Sequence, residues 1–267
     1  MKSVAVILGS AFGEQFPQDL SLKQREIATP WGQQQLYQVI NTNRPAYLIF
    51  RHGIPHRLLP NQISYRAQAW VLRELNCGAL MVTSSVGVLN DRLPLYRPML
   101  VTDLIMLENR LPDGTTCTMF VEPRSLQGHL ILNEGLFSVA LRQQVYKLAP
   151  ELIESPEIEL IFAYVGGPRV KTAAENRTWH KLGADVNSMT LAPEIVLANE
   201  LEIPCVGLVV GHKYSLPGIK VSGDRFAVSE SLESSRRAME EIIIRFLKEA
   251  TEVPFSNQIF RFNNTNE

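Results

Sequence analysis

The chain has 267 residues, of which 45% are hydrophobic, 20% charged and 8% aromatic, and its 26 basic and 27 acidic side chains leave a net charge of -1. These proportions exclude disordered, collagen-like and coiled-coil chains and suffice for a substantial core without staples. They provide no global positive field for a nucleic-acid backbone, so no nucleic-acid partner is expected. In chain order, short runs rich in Val, Ile and Leu predict buried strands at Val4–Leu8, Ala46–Phe50, Ala79–Thr83, Met99–Leu104, Leu160–Val165 and Pro204–Val210. Helical periodicity predicts helices at Tyr65–Leu75, Gly135–Leu148, Thr172–Leu182, Ala192–Leu201 and Ser231–Ala250. In the first of these, Ala67, Trp70, Val71 and Leu75 have core-facing spacing. The alternation predicts an α/β fold with a single domain and a mixed, mainly parallel central sheet flanked by helices. The domain is expected over residues 1–255, with a polar, frayed tail over 256–267.

The apolar start, Val4–Leu8, is too short for a signal-peptide core, and no run approaches the ~20 residues of a membrane span, so no membrane partner is expected. Cys77, Cys117 and Cys205 are odd in number, widely spaced and without a C-x-x-C pair. Neither a disulfide framework nor a zinc site is expected, and a cytoplasmic location fits.

Ligands of an open α/β sheet collect at the carboxyl ends of its strands, so the polar residues there carry the functional reading. Gly9-Ser10-Ala11-Phe12-Gly13 after the first strand is either an anion-binding loop or a plain turn. Arg51-His52-Gly53-Ile54-Pro55-His56-Arg57 after the second suits a small divalent anion, against the alternative of a surface turn with incidental charges. A metal between His52 and His56 is disfavoured, because Pro55 opposes the helix that would bring them together and no carboxylate or Cys accompanies them. Thr83-Ser84-Ser85-Val86-Gly87 reads as a turn that completes an anion cradle. Gly166–Thr172, Asn187–Thr190 and Gly211–Ser215 add further polar clusters. No G-x-S-x-G elbow, nucleophilic Cys or paired carboxylates point to covalent hydrolysis or glycosidase chemistry.

In order, these residues resemble the trimeric purine nucleoside phosphorylase and methylthioadenosine (methylthioinosine) phosphorylase family, over about Val4 to Leu247. The most specific stretches are Arg51-His52-Gly53 with Pro60, Tyr65-Arg66-Ala67 and Trp70, and Gly167-Pro168-Arg169 with Ala174-Glu175, Gly183-Ala184-Asp185, Met189-Thr190, Pro193-Glu194 and Ala198. The resemblance implies cleavage of a purine nucleoside, including a 5′-methylthio or other 5′-modified one, with inorganic phosphate as co-substrate and no cofactor. The products would be free base and pentose-1-phosphate. It assigns phosphate binding to Ser10, Arg51, His52, Ser84, Ser85 and Thr190, and places Met189 against the pentose. It also implies a homotrimer, with Phe12, Phe16 and Trp31 as interface candidates.

The departures fall at the base. Val170 stands where the family usually has Phe, and Lys171 where its oxopurine branch has Glu. Gly211-His212-Lys213-Tyr214-Ser215 replaces the usual Asn or Asp-x-Asp. His212 and Lys213 are therefore the expected catalytic residues, one of them or Lys171 donating to an acceptor-rich base such as a 6-oxopurine, unless the lysines point to solvent. Val170, Lys171 and Ser215 are expected near the base, Phe226 and Val228 near the 5′ group, and His129 there from a neighbouring subunit. The alternatives are a nucleoside hydrolase or a non-catalytic nucleoside-binding paralogue.

Overall fold

A computed structural model describes the chain except for residues 13–16, 18–19, 124–126, 217, 219–224 and 262–267, and the side chains of 225–228. Its strands are β1 (Ser3–Leu8), β2 (Leu22–Thr29), β3 (Gly32–Val39), β4 (Ala46–Phe50), β5 (Cys77–Val88), β6 (Pro98–Leu100), β7 (Asp103–Ile105), β8 (Gly128–Ile131), β9 (Ile161–Tyr164), β10 (Val186–Ser188), β11 (Cys205–Tyr214) and β12 (Gln258–Arg261). Its helices are α1 (Tyr65–Glu74), α2 (Val139–Leu148), α3 (Ala173–Lys181), α4 (Ala192–Glu200) and α5 (Arg225–Glu249).

The main sheet runs β2-β3-β4-β1-β5-β10-β9-β7, with β11 pairing both β5 and β6. The centre is parallel: β1 lies beside β4 and β5, and β11 beside β5. The hairpin β2–β3 adds an antiparallel edge. Because β1 is covered on both faces, it reads as an uninterrupted apolar run. Ala5 and Ile7 face one core with Leu80, Val82, Val71 of α1 and Ile195 of α4. Val4, Val6 and Leu8 face the other with Met81, Leu208, Val145 of α2 and Ile243 and Phe246 of α5. Each such aliphatic or aromatic side chain contributes about 1.5–3 kcal/mol on burial, so the two layers fix the sheet between the helices.

Several expectations need correction. The run Met99–Leu104 is two strands, β6 antiparallel to β11 and β7 parallel to β9. Between them Thr102 changes partner, exchanging hydrogen bonds with Leu160. Helix α2 begins at Val139 rather than Gly135, because Gly135 adopts a left-handed φ of 90° and the Ser138 hydroxyl caps the helix by accepting from Leu141 N–H. Strand β5 runs five residues beyond Thr83, so Ser84-Ser85 lies in a strand and not in a turn. Phe12 is buried in the core and is not available to an interface, while Phe16 lies outside the described residues.

Trp70 leaves the core face of α1 and packs edge-on against Trp31, ring centroids 5.7 Å apart, with the Arg73 guanidinium over its ring. The tail is not frayed where it is described, since β12 pairs antiparallel with β8. Just before β12, Asn257 accepts from the N–H groups of Asn133 and Glu134 and donates to Gly135 O and Asn199 Oδ1.

Candidate active site

The site arises from a change of neighbours along β5. On one edge, β5 pairs β1 as far as Val82 and β10 from Gly87 onward, while β11 follows the other edge from Leu80 to Val88. Among the described residues no strand pairs 83–86 on the first edge, and side chains meet their backbone there instead. Arg51 Nη1 donates to Thr83 O at 2.9 Å, and the Ser188 hydroxyl donates to Ser85 O at 3.1 Å. A cleft of about 460 Å³ opens here, and Ser10, Arg51, His52, Ser84, Ser85, Met189, Thr190, Lys171, His212 and Lys213 all line it.

Arg51 directly follows β4 and is 1% exposed. Its backbone N–H continues the ladder to Leu8 O, its Nε donates to Glu194 in the first turn of α4, and its Nη2 has no partner among the described residues. A buried guanidinium donor without an acceptor is costly, and an anion oxygen is its natural partner. Gly9 permits this arrangement, because a Cβ there would sit 2.9 Å from Thr83 O and 3.1 Å from Arg51 Nη1.

His52 Nδ1 lies 2.8 Å from Leu58 O, to which it donates. Burial, with the Arg51 and His56 charges, depresses its pKa to about 4, so the ring is neutral at physiological pH. No helix forms at residues 52–56, yet the His52 and His56 rings stack at 4.4 Å. The turn that unites them is closed by the Arg57 and Leu58 N–H groups, both donating to His52 O.

At the far side of the gap, the Ser84 hydroxyl donates to that of Ser188 at 3.1 Å. Leu191 adopts φ 76° between β10 and α4. This left-handed residue costs about 1–3 kcal/mol and sets the turn directly after Met189 and Thr190, a concentration of strain typical of functional sites. Met189 packs closely on Gly167, where a Cβ would approach its sulfur to 2.7 Å.

The other end of the cleft is cationic. In β11, Gly211 pairs Val86 and Lys213 pairs Gly87, which leaves His212 as a bulge residue. Bulges re-aim side chains in this way. The His212 ring stacks on Tyr96 at 5.8 Å, and burial lowers its pKa, so the cationic role falls to the lysines. Lys171 is lowered to about 8, first by burial and then by the charge of Lys213. Among the described residues lining the cleft there is no Asp or Glu.

Two expected base residues lie elsewhere. Val170 is 75% exposed and outside the cleft. Ser215 does not line the cleft: its side chain fills the space a Gly87 side chain would take, and its carbonyl accepts from Asn176. His129 is exposed on β8, away from the cleft of its own chain. The side chains of Phe226 and Val228 lie outside those described.

Glu194, the anchor of Arg51, was not singled out as a site residue from sequence. Its signal is an acid within the apolar stretch Ala192-Pro193-Glu194-Ile195-Val196-Leu197-Ala198, where burial demands a cationic partner.

Comparison with known proteins matches residues 3–248 to the phosphorylase superfamily. A probable S-methyl-5′-thioinosine phosphorylase of Methanopyrus kandleri is 34% identical over 206 residues, 76% of this chain and 75% of that one. The 6-oxopurine nucleoside phosphorylase of Pyrococcus furiosus is 27% identical over 247 residues, 91% and 90% of the two chains. In fold, a structure of the Schistosoma mansoni methylthioadenosine phosphorylase with adenine superposes at a TM-score of 0.77, with 21% identity over 92% of this chain and 91% of that one. Among the described residues no helix is long and apolar enough to cross a membrane. The chain belongs to the phosphorylase superfamily, among its purine nucleoside and methylthioadenosine phosphorylases.

Proposed function

We propose that this chain cleaves the N-glycosidic bond of a purine nucleoside with inorganic phosphate. The observation that carries this is the buried Arg51 guanidinium, whose Nη2 has no partner among the described residues, in a cleft shared with His52, Ser10, Ser84, Ser85 and Thr190. These residues hold the phosphate, and Met189 lies against the pentose. A phosphate oxygen attacks the anomeric carbon as the bond to the base nitrogen breaks, giving pentose-1-phosphate. The anion beneath the sugar stabilises the oxocarbenium-like charge. The electron pair left on the base is met by donors at the other end of the cleft, Lys171 and Lys213, with His212 as a neutral neighbour.

Cationic donors and the absence of a carboxylate among the described lining residues favour a 6-oxopurine over adenine, whose amino group needs an acceptor. Relatives named for S-methyl-5′-thioinosine and S-methyl-5′-thioadenosine support a 5′-methylthio substrate. Inosine, adenosine and their 5′-methylthio analogues, assayed with and without phosphate, test the reading. Phosphate-dependent release of hypoxanthine is expected. Turnover by water alone, no turnover, or a clear adenosine preference would overturn it. The reading includes a cytoplasmic homotrimer without metal or organic cofactor, in which His129 of one copy approaches the cleft of the next. A monomer mass in light scattering would remove that part.

A further inference from the structure

The charges of the cleft are unevenly matched. At the phosphate end Arg51, the only arginine among the described lining residues, is paired with the buried Glu194. His52 there is neutral, with His56 stacked on it. The other end holds Lys171 and Lys213, beside His212, whose burial favours the neutral ring, and Tyr96 stacked on that ring. Among the described residues no carboxylate lies within ion-pairing distance of either lysine, and none lines the cleft. The acid that Lys171 senses is Glu175, but its oxygens are already engaged, accepting from the Arg169 guanidinium and from Thr172 N–H.

The two lysines also act on each other. After burial, the charge of Lys213 is the largest influence on Lys171, ahead of the opposing one from Glu175. Like charges gathered in a cleft without a counter-charge repel one another. A neutral ring carbonyl relieves this in part, since it accepts a hydrogen bond but supplies no charge. An anion between them turns the repulsion into two charge-assisted hydrogen bonds.

Resting on the nucleoside reading above, we propose that Lys171 and Lys213 together select a base that is itself an anion near neutral pH, so that an acidic 2,6-dioxopurine nucleoside is preferred over inosine. The 6-oxopurine ring of inosine keeps its proton well above neutrality, whereas a second ring carbonyl makes the purine acidic enough to lose one. The charge count of the reaction agrees. The electron pair left when the glycosidic bond breaks adds one negative charge to the base, which brings a dioxopurine anion to two, and two ammonium groups meet them.

The test is calorimetric binding of xanthosine and inosine to the full chain at about pH 7 and about pH 5, without phosphate, for the native protein, Lys171→Met, Lys171→Arg and Lys213→Met. At about pH 7, where Lys171 holds its proton, the native protein is expected to bind xanthosine about tenfold or more tightly than inosine. At about pH 5 xanthosine is neutral but keeps its second carbonyl, and the preference is expected to fall severalfold. Each methionine variant is expected to reduce the preference at the higher pH, and Lys171→Arg, which restores a cation, to retain it. Equal affinities at the higher pH, no binding of xanthosine, a preference unchanged at the lower pH, or one unchanged in both methionine variants overturns the inference. Phosphate-dependent cleavage of inosine without any xanthosine preference removes this inference and leaves the phosphorylase reading standing. A lysine-dependent xanthosine preference in a chain that releases no base from any nucleoside removes the catalytic reading and leaves the role of the lysine pair.

Discussion

Arg51 and Glu194, 143 residues apart in sequence, form an ion pair in which both side chains are 1% exposed. The pair ties the end of β4, where Arg51 lines the cleft, to the first turn of α4. Breaking a buried pair by removing one partner leaves the other charge uncompensated. Arg51→Ala is expected to lower the unfolding free energy by about 3–5 kcal/mol in urea titration. Arg51→Lys keeps the charge but lacks the planar fork, which must serve Glu194, Thr83 O and the anion together. It is expected to raise KM for phosphate by more than it lowers stability.

Lys171 gives a pH signature in the alkaline range. The unfolded side chain holds its proton to about 10.5 and the folded one only to about 8. Between these values the unfolded state binds more protons, so this residue makes stability rise with pH across the window. The stability gap between the native protein and Lys171→Met should therefore narrow from pH 7.5 to about pH 10 in urea titrations at a series of pH values. Activity moves the other way. If the cation meets the base carbonyl, kcat/KM for inosine falls as pH rises through about 8, and Lys171→Arg shifts that fall to higher pH.

His52 acts on the acid side. Its folded pKa of about 4 lies below the ordinary 6.5, so the unfolded chain gains a proton first as pH falls. Stability is lost between these two values on acidification. His52→Gln is expected to flatten that limb of the stability curve, and an unchanged limb would count against a buried neutral imidazole.

Asn257 anchors the start of β12 through four hydrogen bonds to residues 133–135 and 199. Asn257→Ala is expected to cost about 1–3 kcal/mol in thermal or urea unfolding. A change within error would mean that the tail is not coupled to the body.

Much of this molecule is legible in its apolar runs. Strand β4 coincides with the predicted Ala46–Phe50, and α1 and α4 each fall one residue short of their predicted ends. Arg51 and His52 stand at a strand end, where their composition suits an anion as well as it suits a charged surface turn. What escapes prediction is polar. Strand β2 shows Lys23-Gln24-Arg25-Glu26 to solvent and so has no core-facing signal. Strands β5 and β11 continue through Ser84-Ser85 and His212-Lys213, residues of low strand propensity that are held there by their neighbours. Glu194 acquires meaning only beside Arg51, and a partnership of that kind leaves no periodic trace in the chain.

The continuous strand β5 also acts as a ruler. Ser84, beside the anion donors, and Gly87, which pairs Lys213, belong to one strand whose other edge is clamped between them by β11. At about 3.3 Å per residue, the three steps between them span roughly 10 Å, a length set by backbone geometry rather than by any side chain. Substitutions at Lys171 or Lys213 thus change the donors at the far end of the cleft without altering how far that end sits from the phosphate residues.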